Sequence, residues 1–215
     1  MGRENSPARR NTNPPRHFAT LLEKRDSMNH LGTITLETER LLLRRFTIDD
    51  APQMFQNWAG DTAVTEFLTW PTHTSVKMSE EYITFLLDRY PRPSTYDWAI
   101  TLKDEGRLVG SIGVVDIKEA TECVHVGYCI GKQWWNRGIT SEAFARVIRF
   151  LMDEVKVNRI DSRHDPKNPN SGRVMKKCGL RYEGTLRESD INNKGLCDAD
   201  WYGLLRREYL TKTEG

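Results

Sequence analysis

Three groups of residues in the second half of the chain have types and spacings that could do chemistry. His125 carries an imidazole whose ordinary pKa of ~6.5 suits proton removal at neutral pH. Gln133-Trp134-Trp135-Asn136-Arg137-Gly138-Ile139-Thr140 forms a glycine-bearing turn just ahead of an apolar-striped run. Asn168-Pro169-Asn170-Ser171 heads a second, shorter run that ends at Lys177-Cys178-Gly179. The first N–H groups of a helix lack partners within it and sit at the positive end of its dipole, so each start is a seat for an anion. A diphosphate wants several converging donors with no side chain in the way, and Gly138 clears that space.

Each feature also has a plain reading. Gly138 can simply begin a helix, Asn168 or Asn170 can be its ordinary cap, Ser171 is favourable in any first turn, and His125 can be a hydrogen-bonded strand residue. Two anion seats in one chain, each beside a strand end, tip the balance toward phosphate binding. Cys123, His125 and Cys129 share one face of a strand by the two-residue period, but a metal needs a fourth ligand and tighter clustering, so none is expected.

The elements that must hold these residues follow from periodicity. Ile139 to Val155 keeps Ala143, Phe144, Val147, Ile148, Leu151, Met152 and Val155 on one stripe, the pattern of a helix lying on a sheet. Cys123 to Ile130 and Arg159 to His164 read as the strands on either side of it. Upstream, Thr33 to Phe46 reads as one strand. Thr47 and Asp50 form a capping box for a helix whose face is Ala51, Met54, Phe55 and Trp58, stopped by Gly60. A second helix follows Thr74-Ser75 with Met78, Tyr82, Phe85 and Leu86 inward, until Pro91. Glu66 to His73 between them is a loop suited to line a substrate entrance. Asp97 to Lys103 and Arg107 to Ile117 form a hairpin, and Arg181 to Glu188 and Asp200 to Arg207 are the last strands, separated by Asn192-Asn193-Lys194-Gly195. Meandering strands, one crossover helix, another helix and a closing hairpin predict an α+β fold: a largely antiparallel sheet with a parallel pair at its centre.

Composition bounds the rest. With 215 residues the chain suits one domain, and 32 basic against 30 acidic residues gives no bias toward nucleic acid or an anionic membrane. Residues 1–32 are rich in Arg, Asn and Pro and read as a disordered tail ahead of a domain at 33–212, with Met28 as an alternative start. Four widely spaced cysteines without a Cys-x-x-Cys pair, and no membrane-length apolar run, predict free thiols and a cytoplasmic protein, monomer or homodimer.

Thr38-Glu39-Arg40-Leu41, Gly127-Tyr128, Gln133-x-x-Asn136-x-Gly138, Glu142-Ala143 and Asn168-x-x-Ser171-x-x-Val174-x-x-Lys177-x-Gly179 occur in this order. Together they resemble the GNAT superfamily of acyl-CoA-dependent N-acyltransferases over roughly residues 36–210, and within it the ribosomal-protein N-terminal acetyltransferase branch, the Rim type (RimJ/RimL-like). The resemblance implies a sheet of about seven strands with about four helices, splayed between strands 4 and 5. It implies that backbone amides from Asn136 to Thr140, with Gln133, Arg137, Gly138 and Ile139, hold the pyrophosphate of acetyl-CoA. Cys129 and Ile130 would pair with the pantetheine arm, Asn168 would bind it, and Ser171 would assist the departing thiolate. Asn136 stands where the family's loop usually has its first glycine, and Asn tolerates a positive φ better than most residues. Thr140 stands where a smaller Ala is common. On the strand position of His125, many relatives carry an acidic residue that serves some branches as general base.

The function implied is acetyl transfer from acetyl-CoA to a primary amine, with no metal, and the branch favours a protein N-terminal α-amine. A small-molecule, antibiotic or polyamine acetyltransferase on the same fold is the first rival, because fold does not fix the acceptor. Asp61, Glu66 and Glu81 are the carboxylates that would favour a cationic acceptor. A non-catalytic acyl-CoA-binding module is the second rival, of a different class.

Overall fold

A computed structural model describes residues 28–213. Eight strands form one sheet: β1 Leu36–Glu37, β2 Leu41–Arg44, β3 Asp97–Leu102, β4 Leu108–Lys118, β5 Cys123–Ile130, β6 Arg159–His164, β7 Arg181–Asn192 and β8 Gly195–Leu205. Their order across the sheet is β1-β2-β3-β4-β5-β6-β8-β7, and β5 with β6 is the one parallel pair. Six α-helices accompany them: α1 Ala51–Met54, α2 Thr62–Thr65, α3 Val76–Arg89, α4 Ile139–Phe150, α5 Pro169–Lys177 and α6 Arg206–Thr213. This is the mixed, mostly antiparallel α+β architecture that the element order predicts.

The extra strand comes from a fold-back that alternation cannot show. Thr38 N donates to Leu41 O at 3.0 Å, and Thr38 Oγ1 accepts from Leu41 N at 2.9 Å. The stretch expected as a single strand is therefore the hairpin β1–β2. The closing strand ends at Leu205 rather than Arg207 because the Glu208 carboxylate accepts from Leu205 N at 3.2 Å and starts α6. Residues 28–32, placed by composition in the tail, are packed on the domain: Met28 is buried and Asn29 N donates to Val155 O at 2.8 Å. The remainder of the expected tail, residues 1–27, lies outside the described residues.

Two cores hold the sheet. On one face α4 buries Phe144, Val147, Ile148 and Phe150 against Trp98, Ile112, Val126 and Ile160. After Phe150 a wider π turn over Leu151–Val155 keeps Leu151, Met152 and Val155 inward. On the other face, α1, α3 and the π turn Phe55–Ala59 bury Met54, Trp58, Ile83 and Leu86 over Ala99, Leu108 and Cys129. The inward face of α3 is rotated from the expected one, since Phe85 is 52% exposed beneath the Arg89 guanidinium while Ile83 is buried. Removing Phe144 to alanine from such a core typically costs about 3–5 kcal/mol.

Candidate active site

The parallel ladder is only three pairs long, ending at His125↔Asp161. Beyond it β5 continues to Ile130 bonded to β4, while β6 continues to His164 bonded to β8, so the two strands part. A cleft of about 300 Å³ opens in the gap. Tyr128, Cys129 and Ile130 form its strand wall, Asn136, Gly138, Ile139 and Thr140 lie at the start of α4, and Asn168, Asn170 and Ser171 lie at the start of α5. The two helix starts thus share one groove.

Local chemistry explains each start. Asn136 takes φ +60° and Gly138 takes φ +75°, left-handed values that a β-branched residue resists. The first bond within α4 runs from Glu142 N to Gly138 O at 3.0 Å, so the amides before it have no helical acceptor. Asn168 occupies the N-cap position of α5 but makes no side-chain capping bond, so its amide is not spent on the helix. Ser171 Oγ donates to the Tyr128 hydroxyl at 3.1 Å, and that hydroxyl donates to the Ser171 carbonyl at 2.9 Å. Burial pushes the Tyr128 phenol well above its ordinary range, which keeps it protonated.

Cations frame the anion seat. Arg40 Nη2 stands 3.7 Å and Lys177 Nζ 4.0 Å from where a Cβ on Gly138 would lie. Arg40 is aimed by Glu142, which accepts its Nε at 2.7 Å and also accepts Thr38 Oγ1 at 2.6 Å. Arg40 Nη1 in turn donates to the Arg137 carbonyl at 3.2 Å. Burial alone would raise the Glu142 carboxyl, but the bonds from Thr38 and Arg40 hold it below its ordinary value and charged. The Thr38-Glu39-Arg40-Leu41 motif therefore clamps the β1–β2 turn onto the start of α4.

Not every expected residue reaches the cleft. The side chains of Gln133 and Arg137 are exposed outside its lining. His125 faces a separate pocket with Asp116, Cys123, Asp161, Arg163 and Trp201. Its Nδ1 lies 2.5 Å from Asp161 Oδ1, and Arg163 Nη1 lies 3.1 Å from Nε2. Arginine can only donate, so Nε2 is the acceptor toward Arg163 and Nδ1 the donor toward Asp161. That arrangement engages both ring nitrogens of His125 outside the cleft, so a base role there would require one of these bonds to be released. Burial opposes the Asp161 charge, yet His125, Cys123 and Arg159 together hold its carboxyl below the ordinary value. His125→Ala should consequently cost about 2–4 kcal/mol of stability in urea denaturation, by leaving a buried carboxylate short of a partner, and should leave the acid limb of the rate profile in place. A shifted limb with unchanged stability would reverse this assignment.

The expected entrance loop, whose Leu68 lines the cleft, is tied to the β7–β8 turn. Asn193 Nδ2 donates to Thr65 O and Trp70 O, both at 2.8 Å, and Lys194 Nζ pairs with Glu66 Oε1 at 2.5 Å. Asp61 caps α2 by accepting Ala63 N at 2.8 Å. Two of the three carboxylates that would have favoured a cationic acceptor are thus engaged. Tyr128 and Arg40 were not assigned roles from sequence, although both lie within motifs quoted there.

The Acetyltransferase (GNAT) domain family matches residues 40–181. The chain belongs to this family. The N-acetyltransferase p20 of Bacillus licheniformis is 29% identical over 175 residues, covering 81% of this chain and 98% of that one. The [ribosomal protein uS5]-alanine N-acetyltransferase of Escherichia coli (strain K12) is 26% identical over 86 residues, 40% of this chain and 44% of that one. Among solved structures, the microcin C7 self-immunity acetyltransferase MccE, determined in complex with acetyl-CoA and AMP, superposes with a TM-score of 0.71 at 18% identity, covering 78% of this chain and 93% of that one. The GNAT chain is accordingly an acetyl-CoA-dependent N-acetyltransferase. Among its described residues no helix is long and apolar enough to cross a membrane.

Proposed function

We propose that this GNAT enzyme transfers an acetyl group from acetyl-CoA directly to the α-amine of a protein N-terminus. One observation carries the reading: two helix starts meet on a single cleft where β5 and β6 part, with a serine–tyrosine hydroxyl pair on its wall. The amides ahead of α4, with Arg40 and Lys177 beside them, suit a pyrophosphate. The edge of β5 at Cys129 and Ile130, freed from β6, suits an extended pantetheine arm, with Asn168 opposite it. Ser171 and Tyr128 stand ready to protonate the departing thiolate.

Direct attack is favoured over an acyl-enzyme. The one thiol on the strand wall, Cys129, is pushed up to about 11 by burial and lies 3.2 Å from Ser111 Oγ, so it is a thiol and not a nucleophile at neutral pH. Support for a protein N-terminus comes from the Rim-type motifs and from the uS5-alanine acetyltransferase among the relatives. The test is acetyl-CoA mixed with peptides bearing N-terminal alanine or serine and, separately, with spermidine and an aminoglycoside, CoA release being followed. Turnover of the small amines alone removes the N-terminal reading, and tight acetyl-CoA binding without CoA release from any mixture removes catalysis.

A further inference from the structure

Asp97 opens β3, and its carboxylate leans over the sheet. A Cβ placed on Gly113 would stand 2.4 Å from Asp97 Oδ1, so the carboxylate occupies the space a side chain at Gly113 would fill. Asp97 is paired with Gly113, and Gly113 with Gly127, so all three share one face; neither glycine puts a side chain there, and the nearest side-chain atom to a Cβ on Gly127 would be Val115 Cγ1 at 3.3 Å. Directly opposed residues on neighbouring strands lie about 5 Å apart, which puts the carboxylate roughly one strand spacing from the backbone of Gly127. Gly127 lies two residues past the last β5–β6 pair, at the apex of the cleft, and its neighbours Tyr128 and Cys129 line that cleft.

Among the described residues no hydrogen bond reaches this carboxylate. Asp97 bonds only through its backbone, its N–H donating to Thr33 Oγ1 at 3.0 Å and its carbonyl accepting from Tyr90 at 3.1 Å. Its part-exposed side chain accepts no hydrogen bond among the described residues. Among the described residues, the charged and titratable groups facing it come from α3 and its end: Arg89, whose charge favours the ionised form, and the hydroxyls of Tyr82 and Tyr90. Burial pushes Asp97 up to about 7, with Arg89 opposing. A shielded carboxylate that accepts no hydrogen bond, beside two glycines of which the second is followed on β5 by the cleft residues Tyr128 and Cys129, is suited to a cation.

We propose that Asp97 receives the ammonium group of the acceptor above Gly113 and Gly127 and takes one proton from it. This rests on the transferase reading. The acceptor R–NH3⁺ and the carboxylate become R–NH2 and a carboxylic acid. The neutral amine then forms its C–N bond with the acetyl carbon as the C–S bond breaks. The second amine proton leaves with the thiolate as CoA–SH by way of the Ser171–Tyr128 pair, and Asp97 returns its proton to water.

Asp97→Asn keeps the volume and removes the charge. With whichever of the N-terminal alanine peptide or spermidine the wild type acetylates, kcat/KM at pH 7 should fall about 100-fold, and the acid limb centred at about 7 should disappear. The deficit should shrink above pH of about 9, where more of the amine arrives neutral. Acetyl-CoA affinity by calorimetry should change by less than about twofold, and the melting temperature at pH 8 should hold or rise because a buried charge is gone. Asp97→Glu should recover part of the rate and the limb. A turnover within about threefold of wild type with the limb in place overturns the proposal, as does parallel loss of acetyl-CoA binding and turnover, which would make Asp97 a support of the cleft. A wild type that binds acetyl-CoA and acetylates neither amine is a different failure, that of the transferase reading.

Discussion

Gly138→Val is expected to weaken acetyl-CoA binding by about 100-fold or more, measured by calorimetry on protein whose melting temperature is little changed. Two costs add. At φ +75° a β-branched residue pays about 1–2 kcal/mol of backbone strain, which the turn can relieve only by moving its amides. The added side chain also enters the space between Arg40 and Lys177, 3.7 and 4.0 Å from the Cβ position, where an anion would sit. Each charged hydrogen bond lost there is worth about 1.5–3 kcal/mol, so losing one or two suffices for the expected change. Gly138→Ala should fall between the two, having the strain with less of the obstruction. Unchanged affinity for the valine variant would mean that the start of α4 is not the phosphate seat.

The second large effect concerns the rate rather than the binding. Ser171→Ala and Tyr128→Phe should each lower kcat about 100-fold while acetyl-CoA affinity changes little, because the pair acts on the leaving sulfur only as the C–S bond breaks. The two hydroxyls are joined in both directions, Ser171 Oγ to Tyr128 and Tyr128 to the Ser171 carbonyl. Removing both should therefore cost little more than removing one, since neither works without the other. Steady-state CoA release paired with calorimetry decides it. Losses of equal size in kcat and in affinity would reduce the pair to a wall of the cleft, and additive losses would separate the two roles.

Local signals carried well where a property belongs to a few consecutive residues. The apolar stripe from Ala143 to Val155 predicted a helix on a sheet, and α4 with its following π turn lies there. Cys123 to Ile130 and Arg159 to His164 stand as strands with those bounds. Asn136 takes the positive φ that its side chain tolerates. Strand alternation fails where the chain bends back within a few residues, as at Thr38 to Leu41, because two short strands and one long strand have the same period. The helical stripe of α3 departs from expectation for a related reason: Phe85 is apolar, but among the described residues no element covers it and it lies outward under Arg89.

By itself the sequence determined the composition of the two helix starts, the helix and strands between them, and the family to which their motifs point, since backbone preference and hydrophobic period act over one turn or a few residues. Only the tertiary structure decided which side chains meet. It joined Ser171 to Tyr128 across 43 positions and Arg40 to Glu142 across 102, set Asp97 over Gly113, and closed both nitrogens of His125 with Asp161 and Arg163. Such meetings depend on strand register and on where one parallel ladder stops. A shift of a single residue along β5 would turn every one of its side chains to the other face while leaving the local pattern of the sequence untouched.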